Sequence, residues 1–304
     1  MDSLDALGDV LAPARAFMHL DDEFTHLETA RVVVVPVPFD GTTCYRPGTR
    51  EGPQAIIDAS NNLDLYDAEL HRSPHTVGIA TLRAVEPIAG NAQAMVERTE
   101  RVTAHLLERD KLLATLGGDH SISIGVIRAF AKRYPSLSVL QIDAHADLRD
   151  EYEGNTLSSA TIMRRTLDVV PRTAQVGIRS ISEPEAELVE ERKLPMWLAS
   201  AIREQTFAGR RAWIDEVVAA LGDEVYITFD VDAFDPSLMP GTGTPEPGGL
   251  GWYEAMDLLS AVAAKRHIVG FDVVELSPLV EGHTSPVVAA KLVYKLIGLA
   301  VPQS

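Results

Sequence analysis

Short runs of β-branched and aliphatic residues alternate with longer helical stretches along nearly the whole chain, and few architectures accommodate that rhythm. RVVVVPV from Arg31, KLLATLGGD from Lys111, LSVLQIDAHAD from Leu137, TAQVGIRS from Thr173, EVYITFDVD from Glu224 and HIVGFDVVEL from His267 read as strands. Residues 52–70, 91–110, 121–134, 210–222, 251–265 and 285–300 read as helices. The strand runs lack clean in/out alternation, so both faces are covered. A mostly parallel sheet between helical layers follows. The Pro/Gly-dense stretch Asp235–Gly251 has the composition of a linker. The same α/β rhythm continues beyond it, so a long active-site loop is the expectation. The 304 residues therefore read as one domain (1–304), with residues 1–30 an N-terminal extension whose packing the sequence leaves open.

Two function classes are set aside by charge and hydropathy. A formal net charge of −17 disfavours nucleic acid and anionic membranes while suiting a small cationic substrate. No apolar run approaches the roughly 20 residues needed to span a bilayer. The N-terminus is acidic, unlike a secretory signal. Cys44 is the single cysteine, which excludes an intrachain disulfide and fits a cytoplasmic location.

The chemistry falls where three expected strands end. LGGDHSIS carries Asp119 and His120, QIDAHADLRD carries Asp143, His145 and Asp147, and TFDVDAFDP carries Asp230, Asp232 and Asp235. In extended backbone, alternate side chains share a face, so Asp143, His145 and Asp147 are expected to project together, as are Asp230 and Asp232. Ends of parallel strands meet at the carboxyl edge of a sheet, where open α/β folds place their ligand sites. Four clustered aspartates repel one another unless cations are present. Two divalent ions balance that charge, and an oxygen-rich set with two imidazoles and no thiolate suits manganese, with iron, cobalt or zinc as alternatives. Two such ions can present hydroxide to an electrophilic carbon. Glu275, ending the strand HIVGFDVVEL, is a candidate to hold a guanidinium through its carboxylate fork. Its spacing alone equally fits a surface glutamate at a strand end.

Taken together, GGDHS, DAHAD and FDVDAFDP resemble the signatures of the ureohydrolase family, which includes arginases, agmatinases, guanidinobutyrases and formiminoglutamases. The resemblance runs from about Val35 almost to the C-terminus. It implies a three-layer α/β/α fold, two Mn2+ per subunit, and a homo-oligomer, trimer or hexamer. Residue by residue, it implies His120 and Asp147 on one ion and His145 and Asp232 on the other, with Asp143 and Asp230 bridging. Glu275 in DVVELSP matches the guanidinium-binding glutamate. Of the branches, FDGTTCYRPGTREGP and PGTGTPEPGGL are most similar to agmatinases, and LRDEYEGN lacks the arginase loop that grips an amino acid. The implied reaction is hydrolysis of agmatine to putrescine and urea, a metal-bridging hydroxide attacking the guanidinium carbon. Asp150, Glu151 and Glu153 are candidates to face the distal amine.

One position departs from the pattern. Agmatinase-like sequences carry Leu-Ser-His where this chain has Leu157-Ser158-Ser159, and that histidine is held to pass a proton to the leaving amine. A serine hydroxyl is a poor shuttle at neutral pH. His283, in EGHTSP, is a candidate substitute, and Asp147 is counted with Glu275 among the candidate catalytic residues. A different guanidino substrate, or a metal-binding member of low activity, would also accommodate Ser159. A deacetylase shares the architecture and an Asp/His site but normally shows adjacent histidines, which are absent here.

Overall fold

The structure is a computed structural model that describes residues 15–209, 211–278 and 283–301. Eight strands form one sheet: β1 (Val32–Val37), β2 (Ile79–Thr81), β3 (Leu112–Gly117), β4 (Ser138–Ile142), β5 (Arg172–Ile178), β6 (Met196–Leu198), β7 (Glu224–Asp230) and β8 (His267–Val274). Their order is β2-β1-β3-β8-β7-β4-β5-β6, and every pairing is parallel. The expected strands are all present. The two edge strands, β2 and β6, are three residues each and were not legible as apolar runs.

Alternate residues of one strand feed two separate cores, as the pleat requires. On β1, Val32 and Val34 face one core while Val33, Val35 and Val37 face the other. The short helix α1 (Asp22–Thr25) precedes β1, and the first core is covered by α2 (Gly52–Ser60), α7 (Ala199–Phe207), α8 (Ala212–Ala220), α9 (Trp252–Lys265) and α10 (Thr284–Ala300). The second is covered by α3 (Ala92–Leu107), α4 (Ile122–Arg133), α5 (Ile162–Thr166) and α6 (Glu183–Arg192). The result is the expected three-layer α/β/α arrangement. The helix expected over 52–70 stops at Ser60, because Asn61 and Asn62 turn the chain. Residues 1–14 of the N-terminal extension lie outside the described residues. Phe17 and Met18 are buried in the first core, and their backbone N–H groups donate to Thr81 Oγ1 and Ser60 Oγ. No helix among the described residues is long and apolar enough to cross a membrane.

A buried ion pair ties α10 to the loop after α2. Lys295 Nζ lies 2.7 Å from Asp67 Oδ1 and 2.5 Å from Glu69 Oε2. Removing Lys295 leaves the buried Asp67 to the partly exposed Lys291, 3.4 Å from its Oδ2, a weaker compensation for its charge. Lys295→Met is therefore expected to destabilise the protein by up to about 3 kcal/mol, read as a lower urea midpoint at unchanged slope.

Candidate metal centre

The carboxyl edge of the four central strands gathers the expected residues. After β3 the chain passes Gly118 to reach Asp119 and His120. A Cβ on Gly118 would lie 1.8 Å from the Phe39 carbonyl oxygen, so glycine alone permits this close approach. Asp119 turns away from the centre. Its carboxylate accepts from the Thr42 and Ser121 N–H groups and from both hydroxyls, pinning the loop that carries Cys44.

Asp143, His145 and Asp147 do come together, but not by strand alternation. β4 ends at Ile142, and Asp147 has a left-handed backbone (φ +52°). Asp230 is the last residue of β7, and Asp232 sits in the short helical turn 231–233, its N–H donating to Asp230 Oδ1. Two groupings result. His120, Asp143 and Asp147 form one, and Asp143, His145 and Asp232 the other. His120 Nδ1 lies 3.2, 3.3 and 3.5 Å from oxygens of Asp143, Asp147 and Asp230. His145 Nδ1 lies 2.9 Å from Asp232 Oδ2 and 3.7 Å from Asp143 Oδ1. Asp143 thus offers a different oxygen to each imidazole.

Charge in this cluster is poorly balanced without cations. Burial, then the neighbouring carboxylates, push Asp147 up to about 7 and Asp230 well above the carboxylate range. Burial opposes charge on His120 and His145 as well. The surrounding carboxylates outweigh it and raise both imidazoles above their ordinary value. Protons on the imidazoles are the positive charge that cations would replace. His120 Nδ1 is buried without a hydrogen-bond partner while three carboxylate oxygens face it, which is the arrangement a metal ligand needs. The donor set therefore fits two divalent ions, one beside each imidazole.

Glu275 follows β8 directly, in left-handed backbone (φ +64°). Its Oε1 accepts from the His120 N–H (2.7 Å) and from the Ser159 hydroxyl (2.8 Å). Burial, reinforced by Asp119, raises its carboxyl to about 8. It is no surface glutamate. Glu275, Ser159, His145, Asp147 and Asp230 line a cavity of about 280 Å3. Its other walls include Cys44, Arg149, Tyr152, Glu185 and Thr244. Burial pushes the Cys44 thiol up to about 12, so it stays protonated. Thr244 belongs to the Pro/Gly-dense segment, which is folded back by Asp235 accepting from the Gly248 and Gly249 N–H groups. The expected active-site loop is thus in place.

Other expectations require correction. His283 is exposed at the start of α10, and it does not line the cavity; residues 279–282 lie outside the described residues. Asp150 is paired with Arg164 and Arg165 rather than turned to a ligand. Asp150 and Glu151 line an adjoining cavity instead, and Glu153 is exposed in a turn. Beside Glu275, Asp147 and Asp230, the cavity is also lined by Glu185, buried at the start of α6. Its pairing with Ser182 is a capping box (S-x-x-E) that the sequence displays.

Residues 30–298 match the model of the arginase family, and the chain belongs to that family. It is an agmatinase-like ureohydrolase, a hydrolase of the arginase family. An N(1)-aminopropylagmatine ureohydrolase of Synechocystis sp. is 39% identical over 286 residues, covering 91% of each chain. An agmatinase of Bacillus cereus is 34% identical, over 89% of this chain and 92% of that one. The crystal structure of agmatine ureohydrolase of Thermoplasma volcanium superposes with a TM-score of 0.87 at 30% identity, covering 97% of each chain.

Proposed function

We propose that the protein hydrolyses agmatine to putrescine and urea at a centre of two Mn2+ ions. His120 and Asp147 would hold one ion, His145 and Asp232 the other, with Asp143 and Asp230 between them. The observation that carries this reading is the clustering of Asp143, Asp147, Asp230 and Asp232 about His120 and His145, with Asp147, Asp230 and His145 lining a cavity beside Glu275. Divalent cations held there supply Lewis acidity and a nucleophile at neutral pH. The remaining work belongs to the chain's own side chains. Glu275 is fixed through Oε1, which leaves Oε2 to accept a guanidinium N–H and orient the carbon. Glu185 lines the same cavity with its oxygens already accepting from the Leu148 N–H and from Ser182, and its negative charge there suits a cationic substrate. In support of a cytoplasmic homo-oligomer, trimer or hexamer, stand the single cysteine and the family resemblance.

Ser159 holds Glu275 in this reading rather than carrying a proton, since its hydroxyl hydrogen is donated to Oε1. A hydrogen bond to a charged group contributes about 1.5–3 kcal/mol. Ser159→Ala is accordingly expected to lower kcat/KM for the guanidino substrate by about 10- to 100-fold, with bound metal unchanged. Steady-state kinetics together with metal analysis check it.

A second substrate is favoured by the relatives. Proteins named N(1)-aminopropylagmatine ureohydrolase reach 39–40% identity, against 34% for the Bacillus cereus agmatinase. Urea release from agmatine, N(1)-aminopropylagmatine, arginine and 4-guanidinobutyrate separates these readings. The largest kcat/KM for agmatine supports the proposal. A larger value for the aminopropyl compound keeps the chemistry and changes the substrate.

A further inference from the structure

Asp272 is a fully buried carboxylate in the middle of the sheet, away from the substrate cavity, and sequence patterning does not mark it. It lies on β8, in register with Thr228 of β7 and Thr115 of β3. A carboxylate in such a place carries a desolvation penalty of several kcal/mol. Its hydrogen bonds connect it to the metal centre. Thr228 Oγ1 donates to Asp272 Oδ1 at 2.7 Å, and Tyr226 OH donates to Oδ2 at 2.7 Å. Thr228 has one hydroxyl proton, and Asp272 takes it. The contact of 2.8 Å between His120 Nε2 and Thr228 Oγ1 must then run the other way, with the imidazole donating Nε2–H. That protonation pattern turns the lone pair of Nδ1 toward the oxygens of Asp143, Asp147 and Asp230.

We propose that Thr228 and Asp272 are positioning residues for His120, and that through it they set the occupancy of one of the two metal positions. The inference rests on reading the aspartate–histidine cluster as a metal centre. Without the relay, the neutral ring is free to keep its proton on Nδ1, where it bonds to the carboxylates and competes with the cation. The effect is one-sided because His120 is sealed in the interior, whereas His145 is a quarter exposed and is held by Asp232 and Asp143. Thr228→Val removes the hydroxyl at nearly constant volume. Asp272→Asn keeps the shape but lets the amide donate to Thr228, which frees the threonine proton for Nε2 and favours the wrong tautomer.

The test is manganese binding to the full-length protein by equilibrium dialysis, over a range of free Mn2+. Wild type is expected to bind two ions. Thr228→Val and Asp272→Asn are each expected to weaken one of the two binding constants by about 10- to 100-fold, the range for outer partners of a ligating histidine. The other constant should stay unchanged, and Thr228→Ser should restore both. Two unchanged constants in both variants would overturn the relay while leaving the metal centre intact. Equal weakening of both positions would also overturn it, by showing a general structural effect. A wild-type protein that binds no manganese would overturn the metal reading itself. Asp272→Asn, which changes no volume, keeps the outcome decisive if the valine variant folds poorly.

Discussion

Asp143→Asn is expected to abolish urea release, lowering kcat/KM by at least about 10³-fold, because a metal's electrostatic contribution is several kcal/mol. Asp143 is the member of the cluster that serves both groupings, Oδ2 toward His120 and Oδ1 toward His145. Its substitution reduces charge at both cation positions at once. Asparagine preserves the shape, and Gln141 Nε2, which now donates to Asp143 Oδ2 at 2.8 Å, can adjust to the amide. The fold should therefore persist while metal content falls. Metal analysis of the purified variant beside its kinetics checks both parts. Full activity in Asp143→Asn would remove the cluster from the reaction.

The second large effect is on stability. In metal-free protein Asp147 and Asp230 are buried and each is held against repulsion from Asp143, Asp230 from Asp232 as well, with the imidazoles of His120 and His145 charged to offset it. A cation that binds the native state alone stabilises it by about 4 kcal/mol at a thousand-fold excess over its Kd. Two ions thus contribute about 8 kcal/mol, and for a chain of this size the Tm should rise by more than about 10 °C. The rise should shrink as pH falls, because the ions must displace the imidazole protons. Calorimetry with chelator and with Mn2+ at two pH values measures both quantities. An identical Tm with and without the ion would contradict the account.

Much of this centre was legible before any coordinates. The motifs GGDHS, DAHAD and FDVDAFDP point to the residues that the structure brings together, because their spacing is tied to strand ends. The long interior strands were equally readable, since VVVVPV or EVYITFD has no other plausible place than between two layers. What escaped was set by tertiary context. IAT of β2 and MWL of β6 are too short to carry a periodic signal, and the Glu-rich α6 shows little apolar stripe. Strand alternation explained the convergence of Asp143, His145 and Asp147 for the wrong reason, because the left-handed turn at Asp147 depends on surroundings that lie elsewhere in the chain. Asp150 looked available because its arginine partners follow it by 14 and 15 residues and meet it through the fold alone. Thr228 and Asp272 look like ordinary strand residues; only the register of β7 against β8 joins them to His120.

The central claim is that this cluster of aspartates and histidines is a metal centre that hydrolyses a guanidinium group. The most direct measurement is urea release from agmatine by protein stripped with chelator and then returned to Mn2+. Negligible release by the stripped protein and recovery with the added ion is the predicted result. Urea release that persists in the stripped protein, or none from any guanidino compound after the ion is restored, would contradict it.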